Sequence, residues 1–128
     1  MKRLLLDTHV FLWWLADDPS LGSETRDAIA DSRNVVYVSA ATVWEIAIKK
    51  SLGKLEAPDD MSSIIEAEGF EPLPIDAFHA EQAGQLPPHH RDPFDRMLIA
   101  QGQAEGLSIV THDRNFARYG VRVVHAAT

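Results

Sequence analysis

Residues 4–7, Leu4-Leu5-Leu6-Asp7, decide the fold, because a short apolar run ends there directly at a carboxylate. Three consecutive leucines are too few for a helix and are typical of a strand buried on both faces of a parallel sheet. Apolar side chains then recur at helical spacing from Val10 to Leu15, and an Asp-Asp-Pro sequence at residues 17–19 ends that helix. The stretch therefore predicts a strand, an acid at its end, and a helix.

Short apolar strands alternate with helices along the rest of the chain. Val35–Val38, Leu107–Thr111 and Val121–Val124 are predicted strands. Phe70–Ile75 contains two prolines, which predicts an edge strand or an extended loop. Helices are predicted over residues 24–32, 40–51, 59–68, 76–86, 93–105 and 114–118, with Ser39, Gly53, Pro93 and Gly106 at four of their ends. The alternation predicts an α/β sandwich with a mainly parallel sheet, formed by one domain over residues 1–128.

Length, charge and composition exclude several classes of protein. The chain has 128 residues, of which 45% are hydrophobic and 24% charged, as expected for a globular domain. A net charge of −7 excludes a basic surface over the whole molecule. The absence of cysteine excludes a disulfide scaffold, a thiolate zinc site and a thiol nucleophile. The leucine run at residues 4–6 is too short for a signal peptide or a membrane span, so we expect a cytoplasmic protein without membrane contact.

Two acids follow predicted strands, at the edge of the sheet where parallel α/β proteins bind their ligands. Asp7 follows Leu6 directly, and Asp113 follows Thr111 with one residue between them. If both strands belong to one sheet, the two carboxylates face a common crevice. The alternative is that each acid only caps the turn or helix after its strand.

Three further acids lie on predicted helices. Glu45 lies within an apolar stretch, where a buried carboxylate needs a partner or a cation. The alternative for Glu45 is an exposed ion pair with Lys49, one helical turn further on. Asp92 and Asp95 begin the helix that contains Pro93, where the helix dipole favours acids, and one of the two is then an ordinary N-cap.

Carboxylates that converge repel one another, and a divalent cation removes that repulsion. Carboxylate oxygens favour Mg²⁺ or Mn²⁺, and such ions activate water for attack on a phosphodiester. Arg91, Arg96 and Arg114 are either a local basic rim that holds a phosphate backbone or ordinary solvated charges. The histidines at positions 89, 90 and 112 are expected to be solvated loop residues or surface contacts for a substrate.

Four segments of the chain resemble the motifs of PIN-domain ribonucleases, in the order of that family, and above all those of VapC-type toxins of VapBC toxin–antitoxin pairs. The segments are residues 4–9 (LLLDTH), 38–46 (VSAATVWEI), 92–100 (DPFDRMLIA) and 109–113 (IVTHD). The resemblance covers nearly the whole chain and implies a PIN-like three-layer sandwich, with about five strands flanked by helices. It also implies an RNA substrate, a cognate antitoxin and a homodimer.

The same resemblance assigns roles to individual residues. Four acids match the family's acidic quartet, which binds Mg²⁺ or Mn²⁺ and directs water at RNA phosphodiesters: Asp7, Glu45, Asp95 and Asp113. Thr111 matches the hydroxyl residue that supports this site. Asp95 fits its position better than Asp92 because it directly precedes the apolar helix, and Asp92 then either supports a ligand or caps the helix.

Two other functions stay open on the sequence alone. Asp7 is also placed to be the nucleophile of an aspartyl-phosphate phosphohydrolase, but such enzymes usually carry a second Asp two residues on, where this chain has His9. A PIN-like domain that binds RNA without cleaving it is the other alternative. The apolar stripe from Val10 to Leu15 either packs in the core or forms in part an exposed patch for a partner.

Overall fold

The computed structural model describes all 128 residues, and its five strands form a single sheet in which every neighbouring pair is parallel. β1 (Arg3–Leu6) lies in the centre, between β2 (Val35–Ser39) and β4 (Ser108–Thr111). β3 (Glu71–Leu73) and β5 (Val123–His125) are the two edge strands, which gives the order β3-β2-β1-β4-β5. The mainly parallel sheet of about five strands is therefore confirmed.

Helices cover both faces of the sheet, as the side chains of β1 demonstrate. Leu4 and Leu6 pack in one hydrophobic cluster, whereas Leu5 packs in the other, on the opposite face. All three leucines are fully buried, which is why this strand is a continuous apolar run. The six α-helices are α1 (Thr8–Ala16), α2 (Ser23–Ala30), α3 (Ala40–Ser51), α4 (Met61–Ala67), α5 (Ala77–Gln85) and α6 (Pro93–Glu105). The three-layer sandwich is thus the observed architecture.

Several helix ends follow directly from the residues that stand there. The Ser39 hydroxyl accepts a hydrogen bond from the backbone N–H of Ala41 and caps α3. Pro93 occupies the first turn of α6, and Gly106 ends that helix in the left-handed conformation, at a φ of 66°. Residues 114–119 form a 3₁₀-helix, and β5 begins at Val123, two residues later than the apolar pattern predicts, because Val123 is the first residue in register with β4.

The carboxyl ends of β1 and β4 lie side by side, since Leu6 is in register with Val110. The chain leaves β1 through Asp7 and leaves β4 through His112 and Asp113, so both acids are delivered to the same edge of the sheet. The longest helix has 13 residues, and no helix combines the length and the apolar composition that crossing a bilayer requires.

Candidate active site

One cleft at the carboxyl edge of the sheet brings the predicted acids together. It has a volume of about 390 Å³, and only one of its lining residues is hydrophobic. The polar and charged residues of its lining include Asp7, His9, Glu45, Lys49, Asp92, Asp95, His112, Asp113 and Arg114. Four separate segments of the chain therefore contribute a carboxylate to one concave surface.

Asp7 is both a helix cap and a buried acid of the cleft. Its Oδ1 accepts a hydrogen bond of 2.8 Å from the backbone N–H of Val10, and its Oδ2 accepts one from the hydroxyl of Thr111. Burial raises the pKa of Asp7 above its ordinary value, although these hydrogen bonds and the imidazoles of His9 and His112 act in the opposite direction. The capping alternative and the placement in the cleft are thus both true of this residue.

Glu45 combines the two alternatives that its sequence context left open. The residue is buried, and Oε1 accepts a hydrogen bond of 2.7 Å from the Thr8 hydroxyl. Oε2 pairs with the Nζ atom of Lys49 at 2.7 Å. This hydrogen bond to Glu45 is the main reason why the pKa of Lys49 is raised, and the charges of Asp92 and Asp95 add to it. Lys49 therefore brings a positive charge into the cleft beside the acids.

Asp92 and Asp95 have different environments. Asp92 is exposed, and its Oδ1 accepts hydrogen bonds from the backbone N–H groups of Phe94 and Asp95, so it is the N-cap of α6. Asp95 makes no such bond with its side chain and is partly buried in the cleft. Burial and the neighbouring charge of Asp92 raise the pKa of Asp95 to about 7. A cation bound beside Asp95 would favour the ionised form of its carboxylate.

His90 is a site residue that the sequence analysis did not identify. Its side chain is only 8% exposed, which corrects the expectation of a solvated loop residue. Nε2 lies 2.9 Å from Oδ2 of Asp113, and Nδ1 lies 3.2 Å from the hydroxyl of Tyr119. Oδ1 of Asp113 accepts a hydrogen bond from the backbone N–H of Asn115, so both carboxylate oxygens are held. Burial raises the pKa of Asp113, but these bonds outweigh it and lower the pKa overall.

Comparisons with known proteins identify the family of this chain. A family model described as PIN domain matches residues 4–122. The chain belongs to the PIN-domain family. Ribonuclease VapC16 of Mycobacterium tuberculosis is 41% identical over 61 residues, which are 44% of this PIN domain and 43% of that relative. Ribonuclease VapC22 of the same organism is 29% identical over 117 residues, 89% of each chain.

Solved structures share the fold of this PIN domain at low sequence identity. A DNA-bound VapBC complex from Salmonella typhimurium contains a chain with a TM-score of 0.71 and 23% identity, with 97% of this chain and 98% of that chain covered. A DNA-bound VapBC2 complex from Rickettsia felis gives a TM-score of 0.69 at 15% identity, with 95% and 97% covered. These likenesses bear on the fold, which they support over nearly the full length of the chain.

Arg96, one of the three arginines expected at the RNA backbone, is directed into the PIN domain itself. Its guanidinium donates hydrogen bonds of 2.8–3.1 Å to four backbone carbonyls, that of Ala83 in α5 and those of Leu86, Pro87 and His90 before α6. The donors that RNA would need are therefore used to hold the loop that carries His90. Arg91 and Arg114 are exposed, and Arg114 lines the cleft.

The donor groups of this PIN domain fit a hard divalent cation. Carboxylate oxygens of Asp95 and Asp113 and a ring nitrogen of His90 lie within 4.8 Å of one another, and Nε2 of His90 holds Asp113 by its hydrogen bond. The charge of Asp92, with smaller effects of Glu45 and Asp7, disfavours ionised Asp95, and a cation would reverse this effect. Because most donors are carboxylate oxygens, Mg²⁺ and Mn²⁺ suit them better than softer metals.

The aromatic stripe of α1 divides between the core and the surface. Val10 and Phe11 are fully buried in the hydrophobic core, so Phe11 cannot form part of a docking patch. Trp13, Trp14 and Leu15 are only partly buried and pack against the edge of that core.

Proposed function

We propose that this PIN domain is a metal-dependent endoribonuclease and the toxin of a toxin–antitoxin pair. The observation that carries the proposal is the convergence of Asp7, Glu45, Asp95 and Asp113 on one polar cleft, at the sheet edge where α/β proteins place their ligands. The names of two relatives, Ribonuclease VapC16 and Ribonuclease VapC22, support RNA as the substrate.

The four acids have distinct tasks in this proposal. Asp95 and Asp113 would hold Mg²⁺ or Mn²⁺, and Asp7 lines the same cleft at the end of β1. When bound, such an ion lowers the pKa of a coordinated water and stabilises the leaving oxygen of a phosphodiester. Thr111 orients Asp7 through its hydroxyl, and its Oγ1 also accepts a hydrogen bond of 3.0 Å from the backbone N–H of Asp113. Glu45 is held by the Thr8 hydroxyl and by Lys49, which fix the orientation of its carboxylate.

Basic side chains at the mouth of the cleft suit a polyanionic substrate. Arg114 lines the cleft and Arg91 is exposed on the neighbouring loop, and we assign both to the RNA backbone. Lys49 reduces the repulsion that the acids would exert on a phosphate. Arg96 contributes indirectly, because it holds the loop from Leu86 to His90.

The phosphohydrolase alternative is less well supported. Enzymes of that class usually carry a second Asp two residues after the nucleophile, and this chain has His9 at that position. Asp7 is moreover engaged by Thr111 and Val10 at both oxygens. A domain that only binds RNA would have no need for four converging carboxylates, which weaken the binding of a polyanion.

Cleavage of a single-stranded RNA by the purified chain tests the proposal. We expect cleavage with Mg²⁺ or Mn²⁺, no cleavage in excess EDTA, and loss of cleavage in Asp7→Asn. Hydrolysis of a phosphate monoester is measured beside it, on the same preparations. Full RNA cleavage in EDTA would contradict the metal-dependent mechanism, and monoesterase activity that Asp7→Asn abolishes would favour the phosphohydrolase.

A cognate antitoxin is the proposed partner, and a homodimer the proposed assembly. Two of the similar solved structures are VapBC complexes, which supports a partner protein. We propose that a basic side chain of the antitoxin enters the acidic cleft and competes with the metal ion. Added Mg²⁺ should then weaken antitoxin binding more than NaCl of equal ionic strength, and equal effects would place the antitoxin elsewhere. Analytical ultracentrifugation of the chain alone tests the homodimer.

A further inference from the structure

Three aromatic rings form a cluster at one side of the acidic cleft. The rings of His9 and His112 meet edge to face, with centroids 5.4 Å apart. The ring of His112 also lies 5.1 Å from that of Trp13, and His9 lies 6.4 Å from Trp13. We call these three residues the aromatic cluster. His112 is its central member, since it contacts both other rings at the shorter distances.

Two rings of the aromatic cluster are exposed, and the third ring anchors them to the protein. His9 and His112 are both exposed and both line the cleft that holds the acids. Trp13 is partly buried and packs against the hydrophobic core, which fixes the position of the two imidazoles. Exposed rings that are anchored in this way lose little conformational entropy when a flat ligand is placed on them.

The position of the cluster relative to the acids follows from the chain. His9 is two residues from Asp7, and His112 directly precedes Asp113, at the ends of the neighbouring strands β1 and β4. A phosphodiester placed at the acids therefore has a flanking nucleoside within reach of these rings. The roles proposed for the acids in RNA cleavage do not require aromatic rings at this position.

We propose that the aromatic cluster is a base-stacking subsite, which binds an unpaired nucleobase next to the phosphodiester at the acids. The inference rests on the proposed RNA cleavage and adds to it that the substrate is single-stranded at this position. Aromatic side chains bind unpaired bases by stacking, with little dependence on sequence, and a base within a duplex does not offer its face.

The experiment also distinguishes two other roles for these histidines. In the first, the imidazole N–H groups donate hydrogen bonds to phosphate, so that the nitrogen atoms and not the ring faces matter. In the second, the rings only hold the turn after β4 against α1. Substitutions that separate the ring from its nitrogen atoms distinguish all three cases.

The experiment measures binding of a fluorescein-labelled, single-stranded oligoadenylate of about ten nucleotides by fluorescence anisotropy. All variants carry Asp95→Asn, which prevents cleavage and lowers the negative charge of the cleft. His112→Phe retains a flat ring without nitrogen, and His112→Gln retains polarity without a ring. His125→Gln is the matched control, because His125 is an exposed histidine of β5 that does not line the cleft.

We expect His112→Gln to raise the Kd at least about fivefold, which corresponds to the lower end of measured base–aromatic stacking. His112→Phe should stay within about twofold of the parent and His125→Gln should leave the Kd unchanged. In oligoadenylates with a single abasic residue moved along the chain, one position should weaken binding by the parent but not by His112→Gln.

A loss in His112→Phe as large as that in His112→Gln, or larger, would assign the residue to a polar contact with phosphate and overturn stacking. No loss in either variant, or no binding of the oligoadenylate by the parent, would also overturn it. Cleavage by the chain with Asp95 intact is assayed separately. Normal oligoadenylate binding without any cleavage would contradict the proposed function but not the subsite, whereas cleavage that His112→Gln leaves unchanged in KM would contradict only the subsite.

Discussion

Asp92 and Asp95 are three residues apart on α6, yet only one of them faces a cation in our proposal. Asn at position 92 can still accept hydrogen bonds from the backbone of Phe94 and Asp95, so the cap survives in Asp92→Asn. Asp95→Asn removes a charged oxygen donor that no neighbouring group replaces. We therefore expect Asp95→Asn to lower RNA cleavage more than about 100-fold, and Asp92→Asn less than about tenfold. Equal losses in two folded variants would show that the ligand is misassigned.

The pKa of Asp95, raised to about 7 from 3.8, couples its proton to stability and to metal binding. Between these two pH values the folded chain holds a proton that the unfolded chain has lost. The stability of the metal-free chain should therefore fall as the pH rises across this window, and stay constant with respect to Asp95 above it. Because a cation binds only the ionised carboxylate, Mg²⁺ should displace this proton.

Titration calorimetry in two buffers of different ionisation enthalpy measures that proton directly. At a pH near 6 we expect Mg²⁺ binding to release about one proton per chain, and about none above pH 8. Asp95→Asn should remove the release and also flatten the pH dependence of unfolding in this window. A release that persists in Asp95→Asn would assign the proton to another acid of the cleft.

His90 is positioned to fix the carboxylate of Asp113 through a chain that begins at the Tyr119 hydroxyl. His90→Gln can keep a donor toward Asp113, whereas His90→Leu removes it and leaves the ring space apolar. We expect His90→Leu to weaken Mg²⁺ binding about 10- to 100-fold, the usual effect of losing a group that orients a ligand, and His90→Gln to restore much of it. Calorimetry of Mg²⁺ binding gives the result without an activity assay. A similar loss of affinity in both variants would speak against the orienting hydrogen bond.

The segment between α5 and α6 is neither a helix nor a strand. The side chain of Arg96 donates the hydrogen bonds that hold it. Four donors of one guanidinium satisfy carbonyls from Ala83 to His90, including those at the end of α5. Arg96→Met keeps the aliphatic stem and loses these bonds. We expect a loss of about 2–3 kcal/mol in urea unfolding, against less than about 0.5 kcal/mol for Arg114→Met at an exposed position. Equal effects would mean that the segment is held by other contacts.

The C-terminal segment, residues 126–128, packs on the start of α2. The N–H of Gly22 donates to the carbonyl of Ala126, and that of Glu24 donates to Thr128. A Cβ atom at Gly22 would stand 2.3 Å from the backbone of Thr128, whereas one at Gly84 would meet nothing within 4 Å. Gly22→Ala should therefore destabilise the fold by about 1–3 kcal/mol, and Gly84→Ala, inside α5, should stabilise it by up to about 1 kcal/mol. Thermal and urea unfolding of both variants provide the check, and a neutral Gly22→Ala would mean that the terminal segment shifts freely.

Elements made from local pattern were predictable from the sequence, and contacts that depend on the arrangement of loops were not. The leucines of β1, the cap at Ser39 and the ends of α6 at Pro93 and Gly106 follow from local chemistry, and the structure confirms them. The burial of His90 was missed because it depends on a loop that Arg96 folds from a distance. A double proline followed by paired histidines, at residues 87–90, gave no periodic signal, and no spacing rule connects His90 to Asp113.

The central place of β1 has a consequence for the order of synthesis. The chain leaves the ribosome from its N-terminus, so β1 and β2 can pair early, while the other edge of β1 stays bare until β4 has been made. Thr111 and Asp113 arrive with β4, long after Asp7 and Glu45. The cleft is therefore incomplete on the growing chain, and we expect the protein to acquire its full set of acids only once residues 108–125 are free. Because we propose that the protein cuts RNA, this order of synthesis would keep the unfinished chain from cleaving the RNA of the ribosome that makes it.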